Sequence, residues 1–224
     1  VAFSVKDRVI LNGVAFDILK GSRTVLFGEN GCGKTTLLRL ISRLEKPTRG
    51  VILQNISGKF GQKSKQSKKW YKKVGVVYQN PDYQLFMPTV EKEIKFGAKS
   101  DEYADEIAEK FGVKHLYVRH PQSLSEGQKR RVSIAAVVAT APEVLILDEP
   151  TVGQDYKGLC EMTEILNRIH EETKNTMITV THDKRCAAAL CDRAVWIKDG
   201  KVRKTGGKEL AEEFFKDPTG NAKN

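Results

Sequence analysis

The nine residues Gly28-Glu29-Asn30-Gly31-Cys32-Gly33-Lys34-Thr35-Thr36 are the part of this chain best equipped for chemistry. They fit the pattern G-x-x-x-x-G-K-[ST], in which glycines let the backbone turn tightly and aim its N–H groups at phosphate oxygens. Lys34 is placed to reach the β and γ phosphates of a nucleoside triphosphate, and the Thr35 hydroxyl to ligate Mg2+. A second pair, Asp148-Glu149, puts two carboxylates side by side. Asp148 suits the shell of a hard cation, directly or through water. Glu149 can then polarise a water attacking the γ-phosphate. The plainer alternative for this pair is two solvated loop acids, since charged residues are mostly exposed.

These groups need particular elements to hold them. Thr24-Val25-Leu26-Phe27 reads as a buried strand leading into the glycine-rich turn, and Leu37-Leu38-Arg39-Leu40-Ile41 as the helix leaving it. The N-terminus of that helix adds its dipole at the phosphate position. Val144-Leu145-Ile146-Leu147 is a continuous apolar run, as in a strand covered on both faces. The acids that follow it fall where α/β sheets bind ligands, at the carboxyl end of a strand. Ser125 and Gln128 make a capping box, and Val132, Ala135, Ala136 and Ala139 recur at helical spacing behind it. Ser100, followed by Asp101 and Glu102, starts another helix, with Tyr103, Ala104, Ile107, Ala108 and Phe111 along one stripe. The fold class expected is α/β.

Composition narrows the setting. The chain has 224 residues, room for one sizeable core or two small ones. It holds no uninterrupted apolar stretch of about 18 residues that would cross a membrane. The opening V-A-F-S-V-K-D-R carries charge where a signal peptide needs an apolar stretch, so none is expected. Net charge is 38 − 28 = +10, and much of the excess comes from seven lysines between Lys59 and Lys73, a segment with no acid. Such a segment is a solvated surface loop, or meets anionic headgroups, an acidic partner or nucleic acid. Trp70 and Tyr71 near its end leave base stacking open. Cys32, Cys160, Cys186 and Cys191 match neither a zinc site nor a disulfide framework and read as reduced cytoplasmic thiols.

Leu124-Ser125-Glu126-Gly127-Gln128 stands about twenty residues ahead of Asp148-Glu149, and the two together resemble the signature and carboxylate motifs of ABC-type ATPases. Gln79, after Val74-Gly75-Val76-Val77-Tyr78, resembles that family's Q-loop glutamine. Val152-Gly153-Gln154-Asp155 resembles its D-loop, and Thr181-His182-Asp183 its switch histidine, all in the family's order. The resemblance implies one ABC ATPase domain over residues 1–224: a P-loop NTPase with a RecA-like core, an antiparallel β subdomain near the start, and an inserted α-helical subdomain at roughly 85–140. A short C-terminal tail, 207–224, follows. It further implies ATP and Mg2+, held in a head-to-tail dimer between Gly28–Thr36 of one subunit and Ser125, Gly127 and Gln128 of the other. Thr35, Gln79 and Asp148 would meet the metal, and Glu149, His182 and Gln79 would serve catalysis.

Three positions depart from the family pattern. Glu126 stands where glycine is usual, Gln154 where leucine is usual, and Val5 at the place of the adenine-stacking aromatic, with Phe3 two residues away on the same strand face. Adenine is therefore expected to be held weakly, with the triphosphate and Mg2+ dominating. Gln79-Asn80-Pro81-Asp82-Tyr83-Gln84-Leu85-Phe86 resembles the extended Q-loop of energy-coupling-factor importers of vitamins and transition-metal ions, and Lys129–Ala135 that group's stretch after the signature. That resemblance implies two ATPases, identical or paralogous, docked under a transmembrane coupling protein at the cytoplasmic face of the membrane, with a separate membrane protein capturing substrate. The alternative is a soluble ABC ATPase acting on nucleic acid or ribosomes. The lysine run with Trp70 and Tyr71 supports it; the single cassette and the importer-like loop stand against it.

Overall fold

A computed structural model of the protein describes residues 1–53 and 70–216. Most of the lysine run that begins at Lys59 lies outside the described residues. In chain order the elements are β1 (Phe3–Val5), β2 (Arg8–Leu11), β3 (Arg23–Phe27), α1 (Lys34–Ile41), β4 (Val74–Val77), α2 (Val90–Lys95), α3 (Asp101–Lys110) and α4 (Glu126–Ala139). They continue with β5 (Val144–Asp148), α5 (Tyr156–Thr173), β6 (Thr176–Val180), α6 (Lys184–Leu190), β7 (Arg193–Lys198), β8 (Lys201–Gly206) and α7 (Lys208–Lys216).

β4, β5, β6, β3 and β7 form a parallel sheet in that spatial order, closed on one side by antiparallel β8. Apolar runs such as Leu145-Ile146-Leu147 sit here because helices cover both sheet faces. Register brings the strand ends level. Val180 is opposite both Leu26 and Asp148, and Val77 is opposite Leu147. The segments beginning at Gly28, Gln79, Glu149 and Thr181 therefore leave the sheet at one edge. β1 and β2 form a separate antiparallel pair, and Ala2 bridges to Arg49.

Between β4 and β5 the regular structure is entirely helical: α2, α3, α4 and short 3-10 turns. α4 is buried more completely than the single stripe that its sequence spacing suggests, with Lys129, Arg130, Ser133, Ile134 and Val138 buried as well. It lies between α2 and α3 on one side and the sheet's edge strand on the other. Gly75 makes that approach feasible, since a Cβ there would sit 2.4 Å from a methyl of Val137.

The segment after Gly206, expected as a tail, differs. Residues 208–216 form α7, whose Leu210, Ala211 and Phe214 bury against β3 and β7. Phe214 stacks on Phe27 with ring centroids 4.6 Å apart and meets Trp196 edge-on at 5.3 Å. Leucine and phenylalanine at helical spacing are the driving residues, but only the apolar face offered by Phe27 and Trp196 gives them something to cover. Phe27 is the last residue of the strand that feeds the glycine-rich turn. Phe214→Ala is expected to cost about 3–5 kcal/mol, read as a lowered denaturation midpoint at unchanged slope; an unshifted midpoint would mean that α7 is dispensable.

The β1–β2 ladder shifts register between Phe3 and Ser4. Phe3 packs with the core beside Val1 and Ile10, whereas Val5 is exposed. The extra residue is Ile10 on β2, so the alternation of Phe3 and Val5 along β1 is unbroken and the two differ in cover rather than in face. Trp70 is corrected as a base-stacking candidate. It is buried, its indole N–H donates to the Ile41 carbonyl at 3.1 Å, and Arg43 covers its ring. It closes the C-terminal end of α1 instead.

Candidate active site

The turn between β3 and α1 is a glycine cradle for steric reasons. At Gly28 (φ 155°) a Cβ would lie 2.0 Å from the Ile197 carbonyl oxygen; at Gly33 (φ 105°) it would lie 2.6 Å from Leu11. Both φ values lie where side-chain-bearing residues are strained. Lys34 begins α1 yet is only 6% exposed. Its ammonium donates to the carbonyls of Gly28 and Glu29 at 2.8 and 2.9 Å and lies 3.9 Å from Cys32 Sγ, so it spans the loop from inside. Cys32 is buried under the turn and burial raises its thiol pKa, which makes it a packing residue. Glu29, Asn30 and Gly31 form the exposed rim of the loop, and Thr35 and Thr36 complete the first turn of α1. The first N–H groups of any helix have no intrahelical partner and attract anions.

Thr35 faces the acids at the end of β5. Its hydroxyl donates to Asp148 Oδ2 at 3.4 Å, a long contact that sets two oxygens about one point. Burial raises the pKa of Asp148, against the opposing Thr35 hydrogen bond and Lys34 charge. Glu149 is only 5% exposed and sits at φ 53°, a left-handed conformation unusual for a glutamate. Its N–H bonds to the Val180 carbonyl at 2.9 Å and its Oε2 accepts the His182 N–H at 3.2 Å. Oε1 is buried without a hydrogen bond; the His182 ring Nε2 stands 3.4 Å away but is not aligned to give one. Desolvation pushes the Glu149 pKa up to about 7. Burial, then the Lys34 charge, push that of His182 down, so its imidazole is neutral near pH 7. A buried carboxylate with one free oxygen and a pKa near neutrality is what a general base requires.

The structure thus brings together Gly28–Thr36, Asp148, Glu149 and His182. Gln79 leaves the neighbouring edge strand, and its exposed side chain has no hydrogen-bond partner among the described residues. Ser125, Gly127 and Gln128 stand apart. No hydrogen bond or ion pair among the described residues joins them to the glycine loop; Ser125 and Gln128 instead complete a reciprocal capping box that opens α4. Two of the departures from the family pattern acquire contacts. Glu126 lies 3.6 Å from the Lys129 ammonium, and the Gln154 amide reaches the Gly127 carbonyl at 3.4 Å within the same chain. Asp155 caps α5 through the Gly158 N–H.

Residues 11–152 match the family model described as ABC transporter. The chain belongs to the ABC transporter family. It is 41% identical over 84% of its length to the energy-coupling factor transporter ATP-binding protein EcfA2 of Enterococcus faecalis, covering 69% of that protein. The Bacillus subtilis protein of the same name is 39% identical, with 89% and 76% covered. Among solved structures, cbiO1 from Clostridium perfringens, part of the ABC transporter complex cbiONQ, superposes with a TM-score of 0.80 at 33% identity over 96% of this chain and 88% of that one. The cassette MJ0796 bound to ADP and Pi gives 0.78 at 26% identity, with 92% and 95% covered. This is an ABC-type ATPase, and ATP is its nucleotide.

Other residues of this ABC ATPase shape the site without a signal in the motifs. Glu93 is buried in α2, and its Oε2 accepts the N–H groups of Phe86 and Met87 at 2.9 and 2.7 Å, folding the loop after Gln79. Lys129 and Arg130, buried on α4, grip the same loop. The available clue was the run Lys129-Arg130-Arg131 leading straight into the apolar stretch of α4, where buried charge is kept only if it has partners.

Proposed function

We propose that this chain is the ATP-hydrolysing subunit of a membrane importer of the energy-coupling-factor type, serving a vitamin or a transition-metal ion and working as a head-to-tail dimer. Glu149 carries the hydrolytic part. Its free oxygen takes a proton from the water that attacks the γ-phosphorus, while His182 and Gln79 approach the γ-phosphate from neighbouring strand ends. Lys34 and the N–H groups of Gly28–Thr36 bind the β and γ phosphates. Ser125 of the partner subunit and the N–H of the partner subunit's Gly127 supply the remaining donors, consistent with the separation of Ser125–Gln128 from the glycine loop within one chain.

The oxygens present fit Mg2+. Thr35 Oγ1 and Asp148 Oδ2 already converge, and among the described residues no cluster of three or more His, Cys, Asp or Glu forms a cage. Such a donor set suits a cation that takes most of its oxygens from phosphate and water, with Gln79 as a third protein ligand. When bound, Mg2+ neutralises charge building on the β and γ oxygens.

Support for a membrane partner comes from the loop after Gln79. Tyr83 is 83% exposed, and Phe86 and Phe96, packed edge-on at 5.2 Å, are exposed beside it. Exposed aromatics on this loop and at the end of α2, with the loop fixed from below, support a docking surface there. Among the described residues no helix is long and apolar enough to cross a membrane; the reading gives the membrane span to that partner and a peripheral place on the cytoplasmic face to this chain. The names of the relatives, energy-coupling factor transporter ATP-binding proteins, point the same way. The test is co-purification from detergent-solubilised host membranes with identification by mass spectrometry. A multi-spanning partner, with or without a second ATPase, is the expected result. Recovery of ribosomal proteins or nucleic acid alone would replace the importer with the soluble reading.

A further inference from the structure

Edge strand β4 ends at Val77, so the carbonyls of Tyr78 and Gln79 lie past its last ladder partner. Arg130 takes both: one terminal nitrogen donates to the Tyr78 carbonyl at 2.8 Å and the other to that of Gln79. Arg130 is 4% exposed and its Nε has no hydrogen-bond partner among the described residues. Among the described residues no carboxylate forms an ion pair with it. A desolvated guanidinium spent on two consecutive backbone carbonyls is costly, and burial pushes its pKa down. Two further contacts run from the same helix face. Lys129 donates to Asp82 at 2.8 Å, and the Ser133 carbonyl accepts the Gln84 amide at 2.9 Å. Residue 133 lies on the face of both 129 and 130 because it is four and three positions from them. α4 starts at Ser125, so a single rigid helix has the capping box at its first turn and the loop of Gln79 on its flank.

We propose that Arg130 is a positioning residue that fixes the backbone direction at Gln79 and so couples Gln79 to the first turn of α4. A shift of that turn, as when Ser125 and Gly127 meet a phosphate across a dimer, then redirects Gln79 without any contact between the two. The inference rests on the proposed role of Gln79 at the γ-phosphate. Misplacing a reacting group by about 1 Å can cost on the order of 100-fold in rate.

The test measures kcat and ATP affinity of the full chain for Arg130→Met, Arg130→Lys, Gln79→Ala and the double variant Arg130→Met/Gln79→Ala. Arg130→Met is expected to lower kcat at least about tenfold with ATP affinity within about threefold. On the Gln79→Ala background it should cost less than about twofold more, because residues acting as one unit are not additive. Arg130→Lys, which keeps one donor, should recover part of the rate, and it replaces the methionine variant in the cycle if that variant fails to fold. Multiplying losses, or an intact kcat in Arg130→Met where Gln79→Ala is slow, would overturn the coupling alone. An intact kcat in Gln79→Ala would instead remove the glutamine from the site and the coupling with it.

Discussion

Glu149→Gln is expected to slow ATP turnover by about 100- to 10,000-fold, the range a positioned general base contributes, while ATP affinity stays close to that of the parent. The amide keeps the volume and the acceptor oxygen that takes the His182 N–H at 3.2 Å, so the end of β5 and its register with Val180 should survive. What disappears is the free carboxylate oxygen. With binding intact and hydrolysis blocked, ATP should accumulate on the protein, and size measurements with ATP present should show the proposed dimer. Steady-state turnover together with ATP titration checks both halves. Rapid turnover by the variant would remove Glu149 from the base role.

The same carboxyl predicts a pH signature. With the folded pKa raised to about 7 from the ordinary 4.5, Glu149 is protonated, and unable to accept a proton, below that pH. Turnover of the parent should therefore fall as pH drops through about 7. For stability the sign is opposite. Between about 4.5 and 7 the folded state holds a proton that the unfolded chain has released, so raising the pH through this window destabilises the fold. At 1.36 kcal/mol per unit the cost is up to about 3 kcal/mol above pH 7. Glu149→Gln has no charge to bury. It should denature later than the parent at pH 8, by a margin that shrinks toward pH 4.5, and a margin independent of pH would exclude the buried ionisation.

Lys34→Ala is expected to weaken ATP binding by about 10- to 100-fold, since a hydrogen bond to a charged group contributes roughly 1.5–3 kcal/mol. Two effects combine. The ammonium is lost as a partner of the β and γ phosphates, and the carbonyls of Gly28 and Glu29 lose the donor that holds the loop together. Lys34→Arg should recover little, because a planar fork does not fit a buried position bounded by Gly28, Glu29 and Cys32. ATP titration by calorimetry decides it, and unchanged affinity in Lys34→Ala would contradict the cradle.

The contrast between Ser125 and Arg130 shows where a sequence stops being informative. Ser125 and Gln128 were legible as a cap because their hydrogen bonds run three residues along the chain, and the structure forms that reciprocal box. Arg130 is two residues further on, but its partners are Tyr78 and Gln79, some fifty positions away. The strand before the glycine loop and the apolar run before Asp148 were legible for the same local reason as Ser125. Phe214 and Trp70 were not. The first reads as part of a tail until Phe27 and Trp196 supply the surface it covers. The second reads as an aromatic beside a lysine run until the end of α1 takes its N–H.

By itself the sequence determined the family, the α/β class and the glycine turn between β3 and α1, because glycine freedom, capping and strand hydrophobicity act over a few residues. Only the tertiary structure decided that Glu149 is buried with an oxygen to spare, that Lys34 spans its own loop, and that Arg130 reaches Gln79. Burial and long-range hydrogen bonds depend on which strands lie side by side, and no local pattern carries that order.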